Sequence, residues 1–401
     1  MSRSIGRNTR PKLLFILCVA GFSLTFLNGM VSPLLPLFAQ GLGASGTLIG
    51  MVSSSFFLFR LFLEIPLGYM SDKIGRRTPI VLSLFITVTA SIFCGFVLDS
   101  YQLILTRALW GLGTSLFFCT TSVLIIDIFG PKSSERTLGI LVGIENGGLS
   151  LGSFWGGYLA SLFNYRIVFF ISGVILIPTS FFCFVSRDLK SLGSAERLRS
   201  QKKATHNSIK FLKSRRLISV CCIAFFIFVV YQGIILTVFP LYAYNSLNFD
   251  VSMIGVLISM AGIGLFLSPF MVGFISEKIG QKRLLFIAIS FLSLSMYLLS
   301  FTGSFDLFIP LMFISGCAKG FVLALGPILA VEATGFSARG TAVGTFRTSF
   351  ALGSIVGPVV MAIIASSFDV STVFYFAALL ALVTIMPIVD LSARDKPVVE
   401  P

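Results

Sequence analysis

The ten residues GYMSDKIGRR (68–77) form a short charged stretch in an otherwise apolar chain. Four of them are charged, whereas the whole sequence of 401 residues is 56% hydrophobic and only 11% charged. A similar stretch, GFISEKIGQK (273–282), follows 205 residues later. The return of one polar pattern at a fixed distance suggests that the chain contains two copies of one structural plan.

Apolar stretches of helical length fill the sequence around these two motifs. A bilayer core about 30 Å thick requires roughly 20 apolar residues per helical span, and the mean hydropathy is +0.97. The stretches predict twelve spans, at residues 13–39, 47–70, 78–98, 102–129, 137–162, 167–186, 217–243, 252–275, 284–304, 307–334, 342–367 and 373–394. They lack the period-two alternation of a membrane β-barrel, so we predict an all-α membrane protein.

Glycines and acidic residues recur at a constant offset of 205 residues. The matched pairs include Gly111 with Gly316, Gly148 with Gly353, Gly152 with Gly357, and Asp127 with Glu332. Near the N-terminus the offset becomes 204, where NGMVSPLLPLF (28–38) aligns with QGIILTVFPLY (232–242). Because six spans is an even number, equivalent residues of two six-span halves face the same side of the membrane, as in parallel repeats.

Basic residues are distributed unevenly between the predicted loops. If the N-terminus is inside, the inner segments hold 25 Lys and Arg residues and the outer loops hold one, Arg166. The positive-inside rule then predicts that both termini lie in the cytoplasm, and we expect the chain to reside in the plasma membrane. The net charge of +14 is therefore attributed to membrane insertion and not to binding of nucleic acid. The apolar run after the basic N-terminus is interpreted as the first span, since no small-residue cleavage site closes it.

Five segments follow from these boundaries. We predict an N-terminal tail (1–12), a first six-helix bundle (13–186), a basic linker (187–216), a second six-helix bundle (217–394) and a C-terminal tail (395–401). The end of the linker, SIKFLKSRR (208–216), could lie as a short helix on the inner leaflet or act only as a tether.

The pattern G-x-x-x-D-x-x-G-R-R at 68–77 resembles the signature loop of the major facilitator superfamily. RALWGLG (107–113) and GLSLGSFWGG (148–157) resemble two further motifs, the latter typical of the drug/proton antiporter branch, and GSIVGP (353–358) echoes it. The resemblance covers the whole chain. It implies a fold of twelve helices in two pseudo-symmetric six-helix bundles, and a transporter rather than an enzyme.

The resemblance also implies a conformational latch, a charge relay that holds the cytoplasmic side closed; the alternative is a topology signal and helix stop. The matching residues are Gly68, Asp72, Gly75, Arg76, Arg77 and Asp127 in the first copy, and Gly273, Glu277, Lys282 and Glu332 in the second. Gln281 stands where the first copy has Arg76, so we expect the second latch to be weaker.

Small residues at four-residue spacing permit close helix packing, and in the antiporter branch they also close one conformation against leak. This helix-packing motif comprises Gly148, Gly152, Gly156, Gly157, Gly353, Gly357 and Pro358. Ser153 stands where the family motif has proline, so we expect no proline kink in span five.

Ionisable side chains inside spans indicate function, because inserting each one at the bilayer centre costs roughly 2.5–3.5 kcal/mol of free energy. Glu145 has no basic residue four positions away, and burial favours the neutral form of a carboxyl group. We therefore predict that Glu145 binds the coupling proton, with Glu64 as the second candidate. Glu64 can pair with Arg60 on its own helix, or it can meet Arg347 instead.

The predicted substrate cavity contains six polar residues: Asn28, Gln232, Arg60, Arg107, Lys319 and Arg347. Asn28 and Gln232 occupy equivalent positions in the two halves, and they could bind substrate from opposite sides or only link helices. We expect Arg107 to reach water in part, because it lies near the outer end of span four.

These observations predict a secondary active transporter that works by alternating access and exports small amphipathic compounds in exchange for protons. The excess of basic over acidic residues inside the spans leaves proton-coupled uptake or exchange of an organic anion open. A Walker loop and an H-E-x-x-H motif are missing from the sequence, and its one histidine, His206, lies in the linker. We expect a monomer that uses no cofactor or metal ion.

Overall fold

The computed structural model describes residues 9–74, 76–129, 131–186, 189, 214–334 and 339–388, with side chains omitted at 9, 60, 62–74, 127, 131–136 and 339–340. The regular elements of these ranges are helices. They are α1 (Thr9–Val31, resumed at Leu35–Gly41), α2 (Gly46–Ile74), α3 (Arg77–Phe96), α4 (Ser100–Phe129), α5 (Pro131–Leu162), α6 (Tyr165–Val185), α7 (Arg215–Asn245), α8 (Val251–Ile279), α9 (Gln281–Leu299), α10 (Phe305–Thr334), α11 (Arg339–Ser367) and α12 (Val370–Val383).

Ten helices in the described ranges are long and apolar enough to cross a membrane. The predicted all-α membrane fold is confirmed, and the chain is a multi-pass membrane protein. Connections after odd-numbered helices, such as residues 42–45 and 246–250, lie at one end of the bundle, which we call the distal end. Residues 9 and 388 lie at the opposite end, which we call the terminal end.

The repeat seen in the sequence recurs in the contacts between helices. A Cβ added at Gly111 on α4 would collide with the backbone carbonyl of Phe56 on α2. A Cβ added at Gly316 on α10 would collide in the same way with the carbonyl of Ala261 on α8. Both pairs are separated by the same 205 residues. Glycine at these positions lets two helix backbones touch, which is how helices pack in a bilayer.

The last helix of each half begins with a side-chain cap. Asn164 accepts a hydrogen bond from the backbone N–H of Arg166 at 3.3 Å, and Asp369 accepts one from that of Val370 at 2.9 Å. Each cap satisfies one of the N–H groups that have no partner within the first turn of a helix. The caps explain why FNYRIVFF (163–170) and FDVSTVFY (368–375) are similar.

The first helix of each half departs from regular α geometry before an equivalent proline. The predicted span at 13–39 is not one regular helix, because α1 is broken at residues 32–34, which include Pro33 and precede Pro36. In α7 the backbone forms a π-helix at Tyr231–Val238 before Pro240. Proline has no N–H to donate and its ring meets the carbonyl four residues earlier, so each chain segment must rearrange there.

Two further predicted segments extend beyond the described residues. The last span was expected over 373–394; α12 runs to Val383, a further turn of helix follows at 385–388, and residues 389–394 lie outside the described residues. The expected membrane-surface helix at 208–216 falls largely outside the described residues.

We expect Gly111→Ala and Gly316→Ala each to lower the melting temperature of the purified protein by about 5 °C or more. The added methyl group would force two packed backbones apart, since the atom that it meets belongs to the main chain. Gly139→Ala is the matched control, because a Cβ there would meet no atom within 4 Å. Equal melting temperatures for all three variants would contradict the packing role of the two glycines.

Candidate functional site

The first charged motif contacts the end of a neighbouring helix. Arg77 begins α3, and its Nη2 donates a hydrogen bond of 2.8 Å to the carbonyl of Phe184 in the last turn of α6. Its guanidinium carbon also lies 5.8 Å from the ring centroid of Phe184. A cation beside the C-terminal carbonyls of a helix is favoured by the helix dipole. Arg76 is buried.

The other members of the predicted latch are placed as follows. The side chains of Asp72 and Asp127 and the whole of Gly75 lie outside the described residues, and Gly68 contributes only its backbone, within α2. The first latch therefore stays a prediction.

In the second motif, Glu277 is exposed at the end of α8 and Glu332 is exposed near the end of α10. Gly280 has φ of +85°, a backbone conformation that only glycine adopts readily, and it joins α8 to α9. Lys282 lies half-buried in the first turn of α9, and Gly273 is exposed. Glycine is thus needed in this motif for its tight turn.

The glycines of the helix-packing motif bring α5 onto the backbone of α1. A Cβ added at Gly148 would lie 2.7 Å from a main-chain carbonyl oxygen of α1, and Cβ atoms at Gly152 and Gly156 would collide with two more. These oxygens belong to Phe22, Phe26 and Met30. Ser153, in the place of the family's proline, donates a hydrogen bond of 3.0 Å to the carbonyl of Leu149.

The second half repeats this contact between α11 and α7. A Cβ at Gly353 would collide with the carbonyl of Phe225, and one at Gly357 would lie 2.5 Å from the carbonyl of Val229. Pro358 lies inside α11. Five glycines of the helix-packing motif therefore face the first helix of their own half: Gly148, Gly152, Gly156, Gly353 and Gly357.

Contact between the halves is made first by α5 and α8. A Cβ added at Gly157 would lie 2.6 Å from the Cα of Gly255, and one added at Gly255 would lie 2.7 Å from the Cα of Gly157. Ser150 lies two turns from Gly157 on α5, and Ser259 lies one turn from Gly255 on α8. The hydroxyl of Ser150 donates a hydrogen bond of 2.9 Å to the carbonyl of Ser259. We call this surface the α5–α8 contact.

A second contact between the halves joins α2 and α11. A Cβ at Gly50 would lie 2.6 Å from the carbonyl oxygen of Pro358 and 2.7 Å from the Cα of Val359. Ser54, one turn along, donates a hydrogen bond of 2.5 Å to the carbonyl of Ile355. This α2–α11 contact is equivalent to the α5–α8 contact, because Gly50 and Gly255 are separated by 205 residues.

Both contacts lie toward the distal end of the bundle. There, Asn245 also donates a hydrogen bond of 3.2 Å to Gln40 across the two halves. Toward the terminal end, the α5–α8 contact weakens at Gly147, where a Cβ would lie 3.6 Å from the ring of Phe266. A Cβ at Gly143, one turn beyond, would meet no atom within 4 Å. On this face of α5, the packing against α8 is therefore looser at that level than at Gly157.

Glu145 lies on α5 at the level where the α5–α8 contact loosens. Its side chain is only 8% exposed, and its Oε1 would lie 2.9 Å from a Cβ added at Gly21 on α1. The absence of a side chain at Gly21 thus gives the carboxyl group its place between α5 and α1.

Lys319 lies on α10 and is 6% exposed. Its Nζ is 3.8 Å from the ring centroid of Tyr231, the first residue of the π-helix, and 5.1 Å from that of Phe228. Ammonium groups over aromatic rings are stabilised by the ring quadrupole. The contact joins a buried cation to the irregular segment of α7.

Arg107 is buried, with 4% of its surface exposed, so the expectation that it reaches water in part is wrong. The reason is that aromatic rings enclose the guanidinium group: its Cζ lies 4.9 Å from the ring centroid of Phe56 and 5.0 Å from that of Trp110. Nη2 donates a long hydrogen bond of 3.4 Å to Asn28. Two residues of the predicted cavity are thus brought together.

The remaining residues of the predicted cavity are placed separately. Gln232 is buried within the π-helix, and Arg347 is half-buried on α11. The side chains of Arg60 and Glu64 lie outside the described residues, so their pairing stays a prediction. In the described ranges, no group of three or more His, Cys, Asp or Glu side chains could hold a metal ion.

The sequence analysis did not identify the aromatic partners of the two buried cations. Trp110 could have been found, because it follows Arg107 by three residues and so lies on the same helix face. Phe56 and Tyr231 belong to other helices, and sequence spacing gave no signal for them.

We expect Tyr231→Leu to lower the melting temperature more than Tyr231→Phe. Phenylalanine keeps the ring below Lys319, whereas leucine removes an interaction typically of about 0.5–2 kcal/mol. The measurement is thermal unfolding of the purified variants in the same lipid nanodiscs. If the melting temperature falls equally in both variants, the aromatic ring is not what stabilises the buried ammonium group.

Comparison with known proteins agrees with the geometry. The profile of the Major Facilitator Superfamily matches residues 17–249 and 221–400. The chain is 27% identical over 377 residues to an uncharacterized MFS-type transporter of Methanocaldococcus jannaschii, covering 93% of this chain and 96% of that protein. It is 28% identical over 373 residues to the multidrug resistance protein MdtG of Salmonella heidelberg, covering 88% and 89%.

Two solved structures share the fold. The nucleoside transporter NupG superposes with a TM-score of 0.74 at 15% identity, covering 96% of this chain and 100% of that one. A bacterial homolog of the human lysosomal transporter Spinster, in an inward-facing and unoccupied conformation, gives 0.73 at 17% identity, covering 97% and 96%. At such identities the likeness concerns the fold alone. The two matched ranges of the family profile span almost the whole sequence, and the chain therefore belongs to the Major Facilitator Superfamily.

Proposed function

We propose that this chain exports small amphipathic compounds by alternating access in exchange for protons. Membership of the family makes it a membrane transporter of small molecules and not an enzyme. The direction, the coupling ion and the class of substrate are what we propose here. A monomer in the plasma membrane, with both termini in the cytoplasm, is the arrangement that we propose for it.

The observation that carries the proposal is the unequal packing of the two halves. The α5–α8 and α2–α11 contacts bring backbones together toward the distal end, whereas a Cβ at Gly143 would meet no atom within 4 Å. Parallel-repeat transporters alternate between states by rocking one half against the other around a site near the midplane. A bundle closed at one end is one of the two states that this motion requires.

The charge distribution supports the assignment of the closed end to the outside. In the topology predicted from the sequence, the segments on the side of the two termini carry 25 Lys and Arg residues, whereas the opposite loops carry one, Arg166. The positive-inside rule places the basic end in the cytoplasm, which makes the described state inward-facing.

The position of Glu145 supports proton coupling. It is buried between α5 and α1 at the level where the α5–α8 contact loosens. A carboxyl group in such a place favours the neutral form while dry and the charged form once water or a cation reaches it. One proton moving across 100 mV releases about 2.3 kcal/mol, so one carboxyl group is enough to drive accumulation. Glu64 is the second candidate.

The similarity to a relative named multidrug resistance protein MdtG favours export of drug-like compounds. One observation favours a second candidate, the uptake or exchange of an organic anion. Apart from Arg76 in the charged motif, the buried Asp, Glu, Lys and Arg residues among the described side chains are two cations, Arg107 and Lys319, and one carboxyl group, Glu145. An excess of buried positive charge suits an acidic substrate.

We expect Glu145→Gln to retain downhill exchange of substrate but to lose accumulation driven by a pH gradient. Glutamine keeps the size and burial of the side chain while removing the titrating proton. The measurement uses proteoliposomes with lipophilic dyes and organic anions as substrates, with and without a pH gradient.

The matched control for this measurement is Asp306→Asn, which neutralises a carboxylate that is exposed at the distal end and should leave accumulation unchanged. If Glu145→Gln still concentrates substrate when the proton gradient is the sole energy source, Glu145 is not the coupling residue. Glu64→Gln would then be tested in the same assay.

Orientation has a separate test. In a variant without the native cysteines, we expect an impermeant maleimide applied to whole cells to label Ser246→Cys and to miss Lys278→Cys. Both positions are exposed, the first at the distal end and the second at the terminal end. Permeabilised cells, in which both sites must react, provide the control. Labelling of Lys278→Cys alone in intact cells would reverse the proposed topology.

A further inference from the structure

Two neighbouring side chains on α4 bury hydrogen-bond donors that have no acceptor. Nε and Nη1 of Arg107 and Nε1 of Trp110 are all buried, and none has a hydrogen-bond partner among the described residues. Arg107 is 4% exposed and Trp110 is fully buried. Of the whole guanidinium fork, only Nη2 donates a bond, at 3.4 Å to Asn28.

This arrangement is costly as it stands. A buried donor without an acceptor loses the free energy of its contacts with water, about 1–3 kcal/mol and more for a charged group. Within the described residues, no carboxylate forms an ion pair with Arg107 to offset its charge. The free N–H donors of Arg107 and Trp110 therefore need a hydrogen-bond acceptor. A bound group could supply it.

The internal repeat indicates that the fold does not require a cation at this place. The residue equivalent to Arg107 in the second half is Met312, which is fully buried. The residue equivalent to Trp110 is Ser315, which bonds within its own half. The same helix packing is therefore achieved with an uncharged side chain, and the arginine must be explained by something other than architecture.

The geometry limits what the acceptor can be. The rings of Phe56 and Trp110 lie 4.9 and 5.0 Å from the Cζ of Arg107. A guanidinium group donates in its own plane, in a fork that matches the two oxygens of a carboxylate. With apolar rings around it, the site suits a small acceptor of single negative charge better than a phosphate, whose second charge would stay uncompensated.

We infer that Arg107 and Trp110 form a binding site for a monovalent anion inside the first half, filled by the carboxylate of a substrate or by a free inorganic anion. The inference deepens the proposed function by naming an acidic group as what the transporter recognises; anion binding itself does not depend on proton coupling.

Anion binding at this site would also stabilise the distal closure. Phe56 lies on α2 only two residues from Ser54, which bonds to α11 in the α2–α11 contact. Closing that contact fixes the ring that covers Arg107 and excludes water from the guanidinium group. An anion that binds the closed form more tightly than the open form shifts the equilibrium toward closure.

The test uses the full-length protein in nanodiscs with Trp155→Phe, which leaves Trp110 as its one tryptophan. Sodium formate and sodium chloride are titrated separately at constant ionic strength, with sodium sulfate as the balancing salt. We expect a saturable change in Trp110 fluorescence and a rise in melting temperature of about 2–4 °C. Both effects should be lost in Arg107→Met, which installs the side chain that the second half carries at the equivalent position.

The two salts distinguish the sources of the anion. Formate binding at least tenfold more tightly than chloride supports recognition of a substrate carboxylate, whereas equal or tighter chloride binding supports a free inorganic anion. The inference is overturned if neither salt produces a saturable change, or if the change persists in Arg107→Met.

A second variant covers the case in which Arg107→Met does not fold. Arg107→Lys keeps the charge but removes the planar fork, so it must weaken formate binding at least tenfold; unchanged binding would overturn the inference. Failure of the pH-driven transport assay would leave these binding results standing, so the two proposals fail separately.

Discussion

The close approach of helix backbones is the constraint on which the rest of this molecule depends. Inside a bilayer, apolar side chains gain little by leaving lipid for a protein interior, so helices associate through van der Waals contact at small residues. Gly111 and Gly316 join helices within each half, and Gly157 and Gly255 join the halves to each other. Once these backbones touch, the height at which Glu145 is buried is determined as well, because its helix cannot slide.

Much of this helix packing could be predicted because the sequence contains an internal repeat. The offset of 205 residues pairs Gly111 with Gly316, and a residue kept in both copies without a side chain indicates contact. The sequence could not provide the identity of the opposite helix, since spacing describes one helix face and not its neighbour. The ring of Phe56 beside Arg107 is such a case. The sequence also did not indicate that α7 would form a π-helix before Pro240. The backbone can accommodate the missing N–H and the ring of a proline in several ways.

The two halves share their packing but not their charges. Glu145, Arg107 and Lys319 are buried ionisable residues, and each lies in one copy only. Their counterparts, at the offset of 205, are Phe350, Met312 and Thr114. The glycines and the helix caps, by contrast, are found in both copies. Duplication thus supplied a symmetric frame, and the chemistry that we assign to coupling and recognition lies in positions where the symmetry is broken.

The α5–α8 contact has a consequence for the passage that would form if it opened. Its closest approaches are made by glycine backbone and a serine hydroxyl group, at Gly157, Gly255 and Ser150. Separated from each other, these surfaces would offer water peptide groups and hydroxyls in place of hydrocarbon. A vestibule at the distal end would therefore be wettable at these positions, and selection among solutes would fall to the charged residues deeper in the bundle.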